Sequence, residues 1–342
     1  MTDRFWLYAG FTAFVLVMLA LDLGVFNRRA HAVRPREAAI WTGVWVSLAL
    51  LFSVGVGQYM GRQAALEFLA AWLVEKALSV DNIFVIVLIF GYFGVPARYQ
   101  HRVLFWGILG ALVFRGAMIG LGAVLLERFH WVLYIFGAFL VYTGIRMMRQ
   151  TERKMDPETT PILRLVRRWA PVTGEYHGSR FIVREPGEDG RMRRVLTPLF
   201  VVLITVETTD VIFALDSIPA VFAVTRDPFL VYTSNVFAIL GLRSLYFLLA
   251  DVVQRFHLLK VGLGLVLVFV GAKMLAEDFV HVPVGISLAV IAVVIAGSVV
   301  LSILFPKEAE EPAHRPVADS PPADDPPPAP LPPEPSPAAR EP

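Results

Sequence analysis

Apolar residues along this chain come in long runs, with neither the period of two of a half-buried strand nor the single stripe of a surface helix, and the polar residues collect between them. A bilayer core takes about 20 mainly apolar residues per helix. Nine runs of that kind lie near residues 5–26, 38–59, 66–90, 103–126, 131–148, 197–224, 229–250, 258–275 and 282–305. The pattern predicts an all-α fold, a polytopic transmembrane helical bundle of about nine spans over residues 1–305. The first run exceeds the 7 to 15 residues usual for the apolar part of a signal peptide. With no small-residue cleavage site in "ALDLGVFNRR", it reads as a retained span.

Composition agrees: 56% of residues are hydrophobic, 18% are charged, and mean hydropathy is +0.62. The net charge of +2 says nothing of nucleic acid, because the basic residues follow the connections between spans. "NRRAHAVRPRE", after span 1, holds four arginines, whereas the connections after spans 2 and 4 offer only Arg62 and Arg128. The longest connection, residues 149–194, carries 11 Lys/Arg against 7 Asp/Glu. By the positive-inside rule it is cytoplasmic, which predicts an outside N-terminus and a cytoplasmic C-terminus in the cell (inner) membrane. Within it "RFIVREPGEDGRMRR" suggests a hairpin around Pro186 to Gly190, although a plain solvated connector is the simpler reading. Residues 306–342 hold 14 prolines, eight acidic and three basic residues, and read as a disordered cytoplasmic tail.

The chain also resembles itself. "RFHWVLYIFGAFLVYTGIRMM" from Arg128 and "RFHLLKVGLGLVLVFVGAKML" from Arg255 share eight identities in 21 positions at an offset of 127, including Gly137/Gly264 and Gly144/Gly271. Upstream, "VDNIF" at Val80 matches "TDVIF" at Thr209, and Arg115 matches Arg243. Because span 5 is expected to start outside and span 8 inside, spans 3–5 and 6–8 are expected to be inverted repeats. That arrangement is typical of secondary transporters, whose substrate sites lie at the repeat interface near the midplane.

An ionisable side chain at the bilayer centre costs from about 2.5 to more than 10 kcal/mol, so it persists when paired, hydrated or functional. Span 3, "LVEKALSVDNIFVI", contains Glu75, Lys76, Asp81 and Asn82; span 6, "VETTDVIFALDSIPAVFAV", contains Glu207, Asp210, Asp216 and Ser217. These are the leading spans of the two repeats. On a regular helix Glu207 and Asp210 share a face, as do Glu75 and Asn82, while Asp216 lies about 120° from Asp210. Pro219 is expected to kink or unwind "LDSIPA" and to free carbonyl oxygens beside Asp216 and Ser217. Arg115 and Arg243 are candidates to pair with the carboxylates, either within an ion site or as a structural network. Lys76 reads as neutralising Glu75 or snorkelling. Asp22, near Arg28 and Arg29, reads equally as a site residue or as interfacial, and Asn235 as a helix cross-link or a ligand. The repeat glycines read as close-packing positions.

The seven histidines fall in loops, at span ends or in the tail, and there is no cysteine. Disulfides, thiol redox chemistry and thiolate metal sites are therefore excluded. A buried site built from what remains offers oxygen alone, which suits Mn²⁺, Mg²⁺ or Ca²⁺ rather than Zn²⁺ or Cu⁺. Five acidic groups exceed the charge of one divalent ion plus two arginines, so ion movement coupled to protons is a further expectation.

"EKALSVDNIFV", "DVIFALDSIPAVFAVT" and "SNVFAILGLRSLYFLLA" closely resemble the TerC family of integral membrane proteins, in particular its Alx branch, with the likeness running from span 1 to span 9. The resemblance implies tellurium resistance and, for Alx-like members, manganese export. It points to Glu75, Asp81, Asn82, Glu207, Asp210, Asp216 and Ser217 as the metal-handling residues. The expectation is a non-enzymatic transporter exporting Mn²⁺ or a similar hard divalent cation, with no resident cofactor and the lipid bilayer as its surroundings. Two rivals belong to other classes: a membrane stress-response scaffold acting through the basic loop or tail, and an intramembrane hydrolase with paired aspartates. The hydrolase lacks the GxGD motif of intramembrane aspartyl proteases.

Overall fold

A computed structural model describes the backbone of residues 2–21, 35–129, 131–149, 171–186, 192–250, 258–280 and 282–305. Its elements in chain order are α1 (Thr2–Leu21), α2 (Pro35–Met60), α3 (Arg62–Tyr92), α4 (Ala97–Arg128), α5 (Val132–Arg149), β1 (Ile182–Pro186), β2 (Met192–Leu196), α6 (Pro198–Phe222), α7 (Pro228–Leu240), α8 (Leu242–Leu249), α9 (Leu259–Leu275) and α10 (Val284–Leu304). Helix is the form that satisfies every backbone N–H and C=O within one apolar segment, which is why these runs adopt it. Among the described residues five helices, α2, α4, α5, α6 and α10, are long and apolar enough to cross a membrane, and the pair α7 plus α8, bent by 41°, makes a sixth if it is one span.

The connections are cut by the residues their geometry requires. At the end of α3 the Val95 N–H donates to the Phe90 carbonyl at 2.9 Å and the Gly94 N–H to the Gly91 carbonyl at 3.2 Å. This Schellman arrangement puts residue 94 in the left-handed region, at φ 59°, where glycine carries no Cβ penalty. Asp227 caps α7 by accepting from the Phe229 N–H at 2.8 Å, with Pro228 at the first helical position.

The long connection is more than a solvated link, and the fold is not wholly α. β1 and β2 form an antiparallel pair with Val183 opposite Val195. The segment before them is docked on the α3–α4 turn: the Tyr176 hydroxyl donates to the Phe93 carbonyl at 2.7 Å, and Arg102 donates to the Ser179 hydroxyl at 2.7 Å while lying over the Phe181 ring. The buried Thr197 hydroxyl donates to the Arg180 carbonyl, tying the end of the connection to the start of α6.

Helix α3 runs through the middle of the bundle, packed against α2, α6, α7 and α10. Helices α5 and α9 pair antiparallel along their glycines. A Cβ built at Gly144 would lie 2.6 Å from the Gly264 carbonyl oxygen, and one at Gly271 would lie 2.7 Å from that of Gly137. The two backbones touch because no side chain intervenes, the small-residue device of membrane helices.

Candidate functional site

Arg115 stands near the middle of α4, only 2% exposed, and gathers side chains from three other helices. From α3, Glu75 accepts from Nη1. From α6, Asp210 accepts through both oxygens, Oδ2 from Nε at 3.0 Å and Oδ1 from Nη2 at 2.8 Å. From α7, Asn235 Oδ1 accepts from Nη1 at 3.3 Å, with Ser217 Oγ of α6 at 3.5 Å. The planar guanidinium fork suits this bidentate grip on Asp210 in a way a lysine ammonium does not. Two carboxylates against one guanidinium leave the cluster one negative charge in excess when all are ionised.

Oxygens without partners surround that cluster. Glu75 Oε2, Asn82 Oδ1 and Glu207 Oε2 are buried and accept no hydrogen bond, and Asn235 Nδ2 donates none. Unsatisfied buried polar atoms are uncommon, and each costs about 1–3 kcal/mol when it has no partner. Beside Asn82, Glu207, Thr209 and Asp210 lies a cavity of about 30 Å³ whose wall is mainly apolar, with Ile86, Leu104 and Phe213 among its lining. It has room for an ion or for a water molecule or two. The Glu207 carboxylate packs directly on Gly110 of α4, in the space a Cβ at 110 would fill.

The seven expected ligands fall into two groups rather than one. Glu75, Asn82, Glu207, Asp210 and Ser217 lie around Arg115 and the cavity. Asp216 looks toward α5, where Thr143 and Arg146 are its neighbours, and Asp81 lies within electrostatic reach of it and of Lys260 on α9. The reason is the helix period: adjacent residues diverge by about 100°, so Asp216 and Ser217 cannot face the same way on an uninterrupted helix. α6 is uninterrupted, continuing through Pro219 to Phe222, so the expected unwinding at "LDSIPA" does not occur. Among the described residues no three His, Asp or Glu side chains converge as a ready metal shell.

The break expected in α6 occurs instead between α7 and α8, at Gly241. Lys76 reaches that point: its Nζ donates to the Ala238 carbonyl at 3.3 Å. The pairing with Glu75 expected of Lys76 falls instead to Arg115. Arg243 lies on α8, two residues past the bend, and Asp22 is outside the described residues. Sequence reading missed Gly110, Thr209 and Gly241. The first stands three residues after Gly107 in "WGILGAL", a small-residue spacing that marks close approach, while Gly241 in "AILGLRS" gave no comparable signal.

The model of the integral membrane protein TerC family matches residues 60–310. An uncharacterized membrane protein, STKORF319, of Myxococcus xanthus is 52% identical over 89% of this chain and 93% of its own length. Proteins described as putative membrane-bound redox modulator Alx are similar as well. That of Escherichia coli is 49% identical over 83% of this chain and 90% of its own, and that of Photorhabdus laumondii is 45% identical over 87% and 94%. No solved structure matches.

Proposed function

The chain belongs to the integral membrane protein TerC family, and from that premise we propose that it exports a hard divalent cation, Mn²⁺ above all, from the cytoplasm through the acidic cluster around Arg115. The observation that carries this reading is the pairing of Arg115 with Glu75 and Asp210, near buried oxygens of Glu75, Asn82 and Glu207 that accept no hydrogen bond. Arg115 is then a tethered cation that holds the site's charge while no ion is bound. The ligand atoms on offer are carboxylate, amide and hydroxyl oxygens, which favour Mn²⁺, Mg²⁺ and Ca²⁺. Manganese ranks first because of the Alx-branch resemblance. Asp81 and Asp216, in the second group, make a relay for protons or for the departing ion.

The proposal includes nine spans, inverted repeats in α3–α5 and α6–α9, an outside N-terminus and a cytoplasmic C-terminus. Its support lies in how the contacts exchange. Moving 127 residues along the chain turns the Gly137–Gly271 contact into Gly264–Gly144, the Gly137–Leu275 contact into Gly264–Met148, and the Gly144–Val268 contact into Gly271–Val141. Likewise α3 packs on α7 as α4 packs on α6. Contacts that swap in this way are those of a two-fold axis perpendicular to an antiparallel helix pair. With α5 and α9 across the bilayer, such an axis lies in the membrane plane.

The Alx relatives' description speaks of redox modulation. This chain has no cysteine, so a thiol-based form of that activity has no residue to act through. The reading is tested by Mn²⁺ entry into inside-out vesicles carrying the wild type, Glu75→Gln or Asp210→Asn. Each variant is expected to lose flux about tenfold or more, the equivalent of about 1.4 kcal/mol of ion interaction, while still melting cooperatively. Undiminished flux in both, or no Mn²⁺ flux in the wild type, overturns it.

A further inference from the structure

The break between α7 and α8 puts a cationic side chain where a broken membrane helix ordinarily needs a cation. A helix ending inside the bilayer leaves carbonyl oxygens of its last turn without helical donors and concentrates the negative end of its dipole there. In transporters with interrupted helices such half-helix ends and freed carbonyls coordinate Na⁺. Here α7 ends at Leu240, the chain bends by 41° at Gly241, and α8 begins at Leu242. Two features of the break are local repairs: the Leu245 N–H and the Ser244 hydroxyl both donate to the Gly241 carbonyl at 3.0 Å. The Ala238 carbonyl, one turn earlier, takes its hydrogen bond from Lys76 Nζ of α3.

The fit between ammonium and break depends on residue 241 being glycine. A Cβ built there would lie 2.6 Å from Lys76 Nζ and 3.3 Å from the Trp45 Cβ, so a side chain there would make the ammonium shift. The φ of Gly241 is −82°, which every residue adopts, so room for the cation rather than backbone freedom is what requires glycine. The repeat has no counterpart for either part: Lys76 corresponds to Thr205 at the offset of 129 shared by Asp81 and Asp210, and Gly241 corresponds to Val113 inside the unbroken α4 at the offset of 128 shared by Arg115 and Arg243. The lysine occurs in the first repeat only and the break in the second only, and the two meet in space.

We propose that the α7–α8 break is a monovalent-cation site and that the Lys76 ammonium is its built-in occupant. Lys76 is a positioning residue: it fixes the end of the helix whose Asn235, one turn before Ala238, touches Arg115. A compact, strongly charged ammonium on a flexible stem suits this point-charge role. For transport, and resting on the exporter reading, this makes wild-type flux indifferent to Na⁺, since the position a coupling ion would take is already filled.

The test removes the occupant and supplies a free one, read by thermal melting in detergent with no divalent metal present, so that its outcome is independent of the transported ion. Lys76→Ala is expected to melt about 3 °C or more below the wild type. Ethylammonium chloride restores the melting temperature saturably, Na⁺ does so in part, and choline, too large for the gap, does not. The wild type and Lys76→Met, in which a neutral side chain fills the stem's space, respond to none of them. If Lys76→Ala folds only when prepared in ethylammonium, the site is supported equally. No saturable response in Lys76→Ala, an equal response in the wild type, or failure to fold even in ethylammonium overturns the proposal.

Discussion

Arg115 has a different energetic standing from the surface charges of this chain, because its four polar partners share a buried interior with it. Removing one member of such a cluster leaves an uncompensated buried charge, a loss of about 3–5 kcal/mol. Arg115→Ala is therefore expected to melt well below the wild type, and millimolar Mn²⁺ is expected to raise its melting temperature more than that of the wild type, because the ion then replaces the guanidinium between Glu75 and Asp210. An equal Mn²⁺ shift in both proteins would count against Arg115 as a stand-in for the ion. Gly110 offers a gentler probe. Alanine there occupies the space of the Glu207 carboxylate and must push it toward the cavity, so Gly110→Ala is expected to cut Mn²⁺ flux about tenfold with a melting temperature close to the wild type's. Gly120→Ala, where a Cβ meets open space on the same helix, serves as the control and keeps its flux.

Helix by helix, the apolar runs foretold the elements well, since a run long enough for a bilayer has helix as its only self-satisfied form. Among the described residues each of the nine runs falls on helix, and α7 with α8 share one of them. The charge-bearing spans were legible too, because buried carboxylates stand out against Leu, Val and Ile. What stayed hidden was direction: Asp216 and Ser217 are neighbours in sequence yet point to different helices, and neither a proline nor a glycine announces by itself whether a helix bends. Pro219 sits inside an unbroken α6 while Gly241 stands at the break. The glycine pairs of α5 and α9, in contrast, were found as a repeat and reappear as a contact. Their exchange relation makes a prediction about energies. Gly144 and Gly271 meet a partner carbonyl at 2.6 and 2.7 Å from a built Cβ, so Gly144→Ala and Gly271→Ala should lower the melting temperature by like amounts, each from about 1–3 kcal/mol of overpacking. Gly285→Ala, with nothing near, should leave it unchanged. A large cost at one repeat position and none at its mate would break the two-fold relation.

Across the whole molecule the remaining question is which end of the bundle faces the cytoplasm, and a chain without cysteine is well suited to answer it. The nine-span arrangement puts the α6–α7 turn outside and the β1–β2 hairpin inside. Each end has a residue that tolerates replacement. Arg226 is half-exposed and its 2.6 Å ion pair with Glu277 is solvent-screened, a contact worth about 0–1 kcal/mol; Met192 on β2 is 63% exposed. In intact cells a membrane-impermeant maleimide is expected to label Arg226→Cys at once, and Met192→Cys only after the membrane is opened. Docking of the hairpin on the α3–α4 turn gives a second handle on the same end, since Tyr176→Phe removes the hydrogen bond to Phe93, costing about 1 kcal/mol, and should speed tryptic cleavage within residues 180–194 from the cytoplasmic side alone. Removal of residues 307–342, which follow a bundle that ends at Leu304 in α10, is expected to change neither labelling pattern nor Mn²⁺ flux. The reverse labelling order would turn the bundle over and convert the proposed exporter into an importer with the same site, because the direction of transport is fixed by topology and not by the residues that hold the ion.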